Sequence, residues 1–222
     1  MPTALIIGAS RGIGHEFVHQ LLTDGWKVYA TARDDASLAE LRATGAKPLK
    51  LDVLAPESLA GVGWQLDSEK IDLAIYVAGV YGPPQGAVSP PTAQDFDKVM
   101  HTNVLGAMQA IPLIAPMVEA AHGKFAFISS GMGSIGDATA SGGWVYRASK
   151  AALNMTVKTA SMDYPDAVFV ALDPGWVRTD MGGPNATISA EESVSGMLQV
   201  IAGLAQGDSG SFRSRTGGTR EW

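Results

Sequence analysis

The chain has 222 residues, 46% of them hydrophobic, with a mean hydropathy close to zero; this suits one compact domain, residues 1–222, with a sizeable core. A net charge of −6 and no basic run longer than two residues argue against nucleic acid or an anionic membrane as partner. The absence of cysteine excludes a disulfide framework and cysteine-based metal sites and fits a reducing, cytoplasmic setting.

Met1-Pro2-Thr3-Ala4-Leu5-Ile6-Ile7 lacks a basic n-region and reads as a first strand rather than a signal peptide. No apolar run reaches the roughly 18 residues of a membrane span. After Gly8-Ala9-Ser10-Arg11-Gly12-Ile13-Gly14, the apolar residues Ile13, Phe17, Val18, Leu21 and Leu22 recur at helical spacing. Asp24-Gly25 closes that helix, and Trp26 to Ala32 forms a second strand. This is a strand–glycine turn–helix–strand unit, in which Gly8 permits a tight turn and Gly12 lets backbone approach a pyrophosphate. Gly14 lets helix and strand pack closely. The helix N-terminus, with Ser10 and Ile13 in its approach, offers unpaired N–H groups to phosphates.

The alternation continues. Helical patterns at 38–43 and 57–66 precede strands at 48–52 and 71–77. Residues 95–120 form a long helical stretch that Pro112 and Pro116 should kink or split. A fifth strand (124–130), a helix (145–161), a sixth strand (167–173), a helix (190–204) and a last strand (210–215) follow. The predicted fold is α/β: a single-domain Rossmann fold, a doubly wound parallel sheet of about seven strands with helices on both faces. Ligands should then sit at the carboxyl ends of the strands.

Those ends carry suitable residues. After strand two, Ala32 occupies the place of the acidic residue that would select NAD. Arg33 follows it, and Arg11 supplies a second guanidinium nearby; two such groups favour a 2′-phosphate, hence NADP(H) over NAD(H). Asp52 and Val53 suit an adenine edge, and Ala78-Gly79 allow a ribose to lie against backbone. Pro174, Gly175, Val177 and Thr179 form a turn that can hold a carboxamide. Ser129 and Ser130 end strand five. Tyr146 and Lys150 fall one turn apart on the following helix, where the cation should favour the phenolate and let Tyr146 exchange a proton at moderate pH.

This set resembles the short-chain dehydrogenase/reductase family from about Thr3 onward, through Gly8-x-x-x-Gly12-x-Gly14, His101-Thr102-Asn103-Val104, a serine and Tyr146-x-x-x-Lys150. The wording of residues 146–154 and 174–183 is similar to the branch of C-factor-like and sniffer-like carbonyl reductases. The resemblance implies reversible hydride transfer between nicotinamide and a small carbonyl or alcohol substrate. Tyr146 would be the proton donor, and Lys150 would tune it and hold the ribose. Ser130 would bond the carbonyl oxygen, and Asn103 would hold a water leading to Lys150. Ser129 and Ser134 are weaker candidates for the serine.

Three positions depart from the family pattern: Ile7 for threonine, Val77 for the asparagine of Asn-Ala-Gly, and Asp173 where this branch often has histidine. Val77 should cost a hydrogen bond and loosen the sheet near the cofactor. The spacing from Ser130 to Tyr146 is longer than usual, which places the loop 137–143 over the substrate side.

Tyr81, Met132, Trp144, Met181 and Trp176 are candidate substrate-lining residues, pointing to an apolar or aromatic carbonyl compound, and 182–189 should form a small lid. His15, His19, His101 and His122 show no metal-binding grouping, so no metal is expected. Family members commonly form dimers or tetramers through the helices at 95–120 and 145–161, so a homodimer or homotetramer is expected here. The alternative function is an NADP(H)-binding sensor or signalling protein of C-factor type with little turnover. A nucleotide-sugar epimerase would need a substrate domain for which the chain leaves little room.

Overall fold

The computed structural model describes residues 1–222. β1 (Thr3–Ile7) is buried at every position, as a strand covered on both faces must be. It feeds α1 (Gly12–Thr23), whose Gly14, Phe17, Val18 and Leu21 face inward. β2 (Lys27–Ala32), α2 (Asp35–Ala43), β3 (Lys47–Lys50), α3 (Pro56–Leu66) and β4 (Leu73–Tyr76) then alternate. After β4 come α4 (Ala93–Met100) and α5 (Gly106–Glu119), then β5 (Lys124–Ile128) and α6 (Trp144–Ala160). β6 (Val168–Asp173), α7 (Ala190–Gly203) and β7 (Ser211–Ser214) complete the order.

All seven strands are parallel, in the order β3-β2-β1-β4-β5-β6-β7. The order reverses between β1 and β4, so a crevice opens at their carboxyl ends. Pro48 is tolerated in β3 because that strand lies at the sheet edge. One face of the sheet packs α3, α5 and α6 over a core that includes Phe125, Phe127 and Phe169. The other face packs α1 and α7 through Phe17, Val18, Leu21, Val194, Met197 and Ile201. Phe127 stacks 4.3 Å from Phe125 and 6.0 Å from Tyr76, ring centre to ring centre, directly beneath the carboxyl ends of β4 and β5.

Helix starts are chemically distinct. Asp34, Thr92 and Ser189 cap α2, α4 and α7 by accepting from Ser37 N, Asp95 N and Glu192 N. Arg11, before α1, provides no side-chain cap, which leaves the first N–H groups open beside the β1–β4 crevice.

The long helical stretch is interrupted, but not at its prolines. Pro112 and Pro116 lie within α5, four residues apart on its exposed face, where carbonyls deprived of a donor meet water. The break is a turn of π-helix at His101–Leu105, which ends α4 and buries Asn103. Such wide turns occur as single interruptions of a helix, often at functional sites. Here the Tyr76 hydroxyl donates to Thr102 O at 3.2 Å and the Thr102 hydroxyl to Lys98 O at 2.7 Å.

Candidate active site

The glycine turn is shaped by close backbone approach. Gly8 has φ +92°, and a Cβ there would lie 2.8 Å from Ala78 N, across the crevice. A Cβ on Gly14 would run into Gly8 O, so the helix can sit this close only as glycine. Gly8 N donates to the Thr31 hydroxyl at 3.0 Å, which pins the turn to the end of β2. Thr31 escaped the sequence reading, since a β-branched residue in a strand carries no special signal.

Val77 keeps the main-chain bond to β1 but has no side-chain donor to offer. Its N–H donates to Ile7 O at 2.8 Å, the next N–H, of Ala78, reaches the same carbonyl at 3.0 Å, and its side chain joins the second core.

Asn103 braces the far side of the crevice. Its Oδ1 accepts from Val80 N at 2.8 Å, and its Nδ2 donates to Val80 O at 2.9 Å and to Ser149 Oγ at 2.9 Å. The loop after β4 is thereby fastened to α6. A Cβ on Gly79 would fall 3.3 Å from Asn103 Oδ1 and 3.6 Å from Lys150 Nζ, so Asn103 and Lys150 converge on the small residue between them.

Of the three serines, Ser129 donates to Asn154 Oδ1 at 2.6 Å and is buried away from the crevice. Ser134 accepts from Asp137 N at 3.0 Å. Ser130 caps the short 3₁₀ turn Gly131–Gly133 by accepting from Met132 N at 3.1 Å and lies in hydrogen-bonding reach of Tyr146.

Tyr146 and Lys150 are both buried, at 7% and 3% exposure, and the ammonium lies 5.6 Å from the Tyr146 ring centre. Lys150 Nζ donates to Ile128 O at 2.7 Å. Burial pushes Lys150 down to about 8 and Tyr146 up to about 12, while the Ser130 hydroxyl pulls Tyr146 the other way. The expectation from spacing alone is a tyrosine shifted toward the phenolate by its lysine; in the free protein burial acts against that shift. Desolvation is the largest influence on the Tyr146 hydroxyl and holds it in its protonated form.

Tyr81 packs tilted against Tyr146, with ring centres 4.8 Å and planes 38° apart. Tyr81 and Met132 meet at Gly143, where a Cβ would lie 2.6 Å from the Tyr81 hydroxyl and 3.2 Å from the Met132 methyl. The loop 137–143 is held beside them, with Gly143 N donating to Pro84 O at 2.9 Å. Trp144 is half-buried at the start of α6, and Met181 and Trp176 are exposed at 48% and 54%.

The turn after β6 reaches back across the crevice, since the Thr179 methyl is the neighbour a Cβ on Gly12 would meet at 3.2 Å. The Thr179 hydroxyl accepts from Gly182 N at 3.2 Å, inside its own turn. Segment 182–189 is short and pinned, with Arg178 N donating to Ile188 O at 2.8 Å and Trp176 Nε1 to Gly182 O at 2.8 Å.

On the rim, Arg33 is exposed beside Asp34, whose carboxylate is taken up by Ser37. Arg11 is paired with Asp180 at 3.0 Å, both exposed. Asp52 accepts from Leu54 N at 3.0 Å.

Comparison with known proteins agrees with this geometry. The family model for short chain dehydrogenases matches residues 2–188. The C-signal protein of Myxococcus xanthus is 40% identical over 155 residues, covering 68% of this chain and 93% of that protein. An NADPH-bound carbonyl reductase from chicken fatty liver superposes with a TM-score of 0.90 at 33% identity, over 100% of this chain and 99% of the other. The carbonyl reductase Sniffer of D. melanogaster gives a TM-score of 0.90 at 26% identity, over 100% of both chains.

Proposed function

Since this chain belongs to the short chain dehydrogenase family, in its C-factor-like and sniffer-like branch, we propose that it is an NADPH-dependent reductase of small aldehydes and ketones. The observation that carries this reading is the convergence of Ser130, Tyr146 and Lys150 opposite a glycine turn at the sheet's switch point. The dinucleotide fits on structural grounds. Gly8 and Gly12 let backbone approach closely, the Arg11 side chain leaves the first N–H groups of α1 uncapped, and Gly79 opens a path to Lys150.

When bound, the reduced nicotinamide supplies a hydride to the carbonyl carbon. The Ser130 hydroxyl donates to the carbonyl oxygen and stabilises the charge that develops there. Tyr146, protonated below about pH 12, delivers its proton to that same oxygen. Lys150, which converges on Gly79, would hold the ribose of the dinucleotide and, pushed down to about 8 by burial, would replace the proton that Tyr146 gives up. Asn103 holds the loop after β4 against α6 and, with a water, extends that relay toward solvent.

Arg33, free of Asp34, is the residue placed to meet a 2′-phosphate, with Arg11 close by once it leaves Asp180. Tyr81 and Met132, which meet at Gly143, would line the substrate side together with Trp144, and the exposed Met181 and Trp176 would stand at its mouth. The exposed Leu105 just before α5, Met108 on α5 and Met155 on α6 suit these helices to pairing with a second copy, in a homodimer or homotetramer.

A panel of aldehydes and ketones, followed by NADPH consumption and repeated with NADH, tests the proposal. A lower kcat/KM with NADPH than with NADH refutes the cofactor assignment. The likeness to a C-signal protein favours a second reading, an NADP(H)-binding signalling protein with little turnover. Binding of NADPH without consumption across the panel would select it.

A further inference from the structure

Asp173 is a buried carboxylate that the proposed mechanism leaves without work. It ends β6 at 4% exposure, and its Oδ1 accepts from Gly175 N at 3.0 Å, which sets the turn facing the glycine loop. Its Oδ2 accepts from Arg220 Nη2, and the other arm of that guanidinium, Nη1, donates to Asp137 Oδ2 at 3.1 Å. Arg220 arrives there because the chain reverses after β7. Gly217 takes φ +91°, Ser214 N donates to Gly218 O at 2.8 Å, and Arg220 N donates to Phe212 O at 2.8 Å.

Segment 219–222 then lies across the loop that follows Ser130. Trp222 stacks on Phe212 with ring centres 5.9 Å apart, and its carbonyl accepts from Gly136 N at 3.0 Å. A Cβ on Gly131 would stand 3.1 Å from Asp173 Oδ2 and 3.3 Å from Arg220 Nη2. The ion pair therefore touches the backbone of the residue next to Ser130.

We propose that Arg220 is a positioning residue of the active site: its planar fork ties Asp173 to Asp137, fixing residues 131–137 beside Ser130 and Tyr146 and balancing the Asp173 charge beneath them. The inference rests on the reading of Tyr146 as proton donor. It has a signed consequence. Besides burial, Tyr146 is faced by Ser130 from the β5 loop, Tyr81 from the β4 loop, Lys150 on its own helix and Asp173 from β6, and the Asp173 carboxylate favours the protonated phenol. Removing Arg220 leaves that carboxylate uncompensated and holds the Tyr146 proton more tightly. Neutralising Asp173 releases it.

The test is the pH dependence of alcohol oxidation, the direction that needs ionised Tyr146. In R220A the rising limb should move alkaline and in D173N acid, with R220K returning close to the wild type. Both R220A and D173N break the same ion pair, so a merely structural role would move the limbs together. Shifts of the same sign, or no shift, overturn the proposal. Hydrogen exchange of amides 131–137 should quicken roughly tenfold or more in R220A and stay quickened in R220K, whose single ammonium restores the charge but not the two-armed tether; unchanged exchange in R220A also overturns it. A wild-type protein that neither reduces carbonyls nor oxidises alcohols refutes the functional reading instead, and the exchange arm then decides the tether by itself.

Discussion

Tyr146 and Lys150 sit buried in contact with one another, whereas Arg11 and Arg33 stand exposed on the rim of the same crevice. Both regions place cations where a cofactor or substrate is expected, yet different physics governs them. In the buried centre desolvation dominates, moving Lys150 down to about 8 and Tyr146 up to about 12. On the rim water screens each charge, so partners exchange easily and Arg11 can rest on Asp180 at little energetic consequence. Chemistry that needs a shifted proton belongs in the first environment, and recognition of a solvated phosphate suits the second.

The largest way to break this contrast is Tyr146→Phe. Turnover should fall roughly 10²- to 10⁴-fold while the NADPH dissociation constant, read by fluorescence titration, stays nearly unchanged. Retained activity would remove Tyr146 from the chemistry.

Lys150→Met probes the same burial through stability. Between about pH 8 and the ordinary 10.5, the unfolded chain binds the Lys150 proton more than the folded one does, so wild-type stability should rise across that window. The rise should amount to a few kcal/mol. Tyr146 works in the opposite sense, holding its proton in the folded state, but only from about pH 10 to about 12. Urea midpoints from pH 7.5 to 10 should climb in the wild type and lie flat in Lys150→Met; parallel curves would show that the lysine carries no desolvation penalty.

On the rim, Arg33→Ala should lower kcat/KM for NADPH about 10- to 100-fold, the loss of a charged hydrogen bond, and leave NADH unaffected. Equal losses with both cofactors would contradict the 2′-phosphate assignment. The smallest change is Asp180→Asn, expected to alter unfolding free energy by less than about 1 kcal/mol and to do so only at low salt. A larger, salt-independent loss in a urea titration would mean the pair is not screened as its exposure implies.

Local patterns in the sequence determined the α/β alternation, the glycine turn and the Tyr146–Lys150 spacing, because periodicity and glycine φ requirements are written within a few residues of each other. The place of Val77 in the core and the placement of Ser130, rather than Ser129 or Ser134, beside Tyr146 followed from contacts across the sheet. So did the shift of the helix break from the prolines to His101–Leu105, since the exposed face that tolerates Pro112 and Pro116 is defined only once α5 has packed. The direction in which Tyr146 is shifted could not be read from its lysine, because burial is a property of everything packed around a residue rather than of its neighbour one turn away. Arg220 lies 47 residues from Asp173 and 83 from Asp137 in a short polar stretch with no motif. Only the chain reversal at Gly217 brings them together, and only the tertiary structure decides which charges share a low-dielectric space.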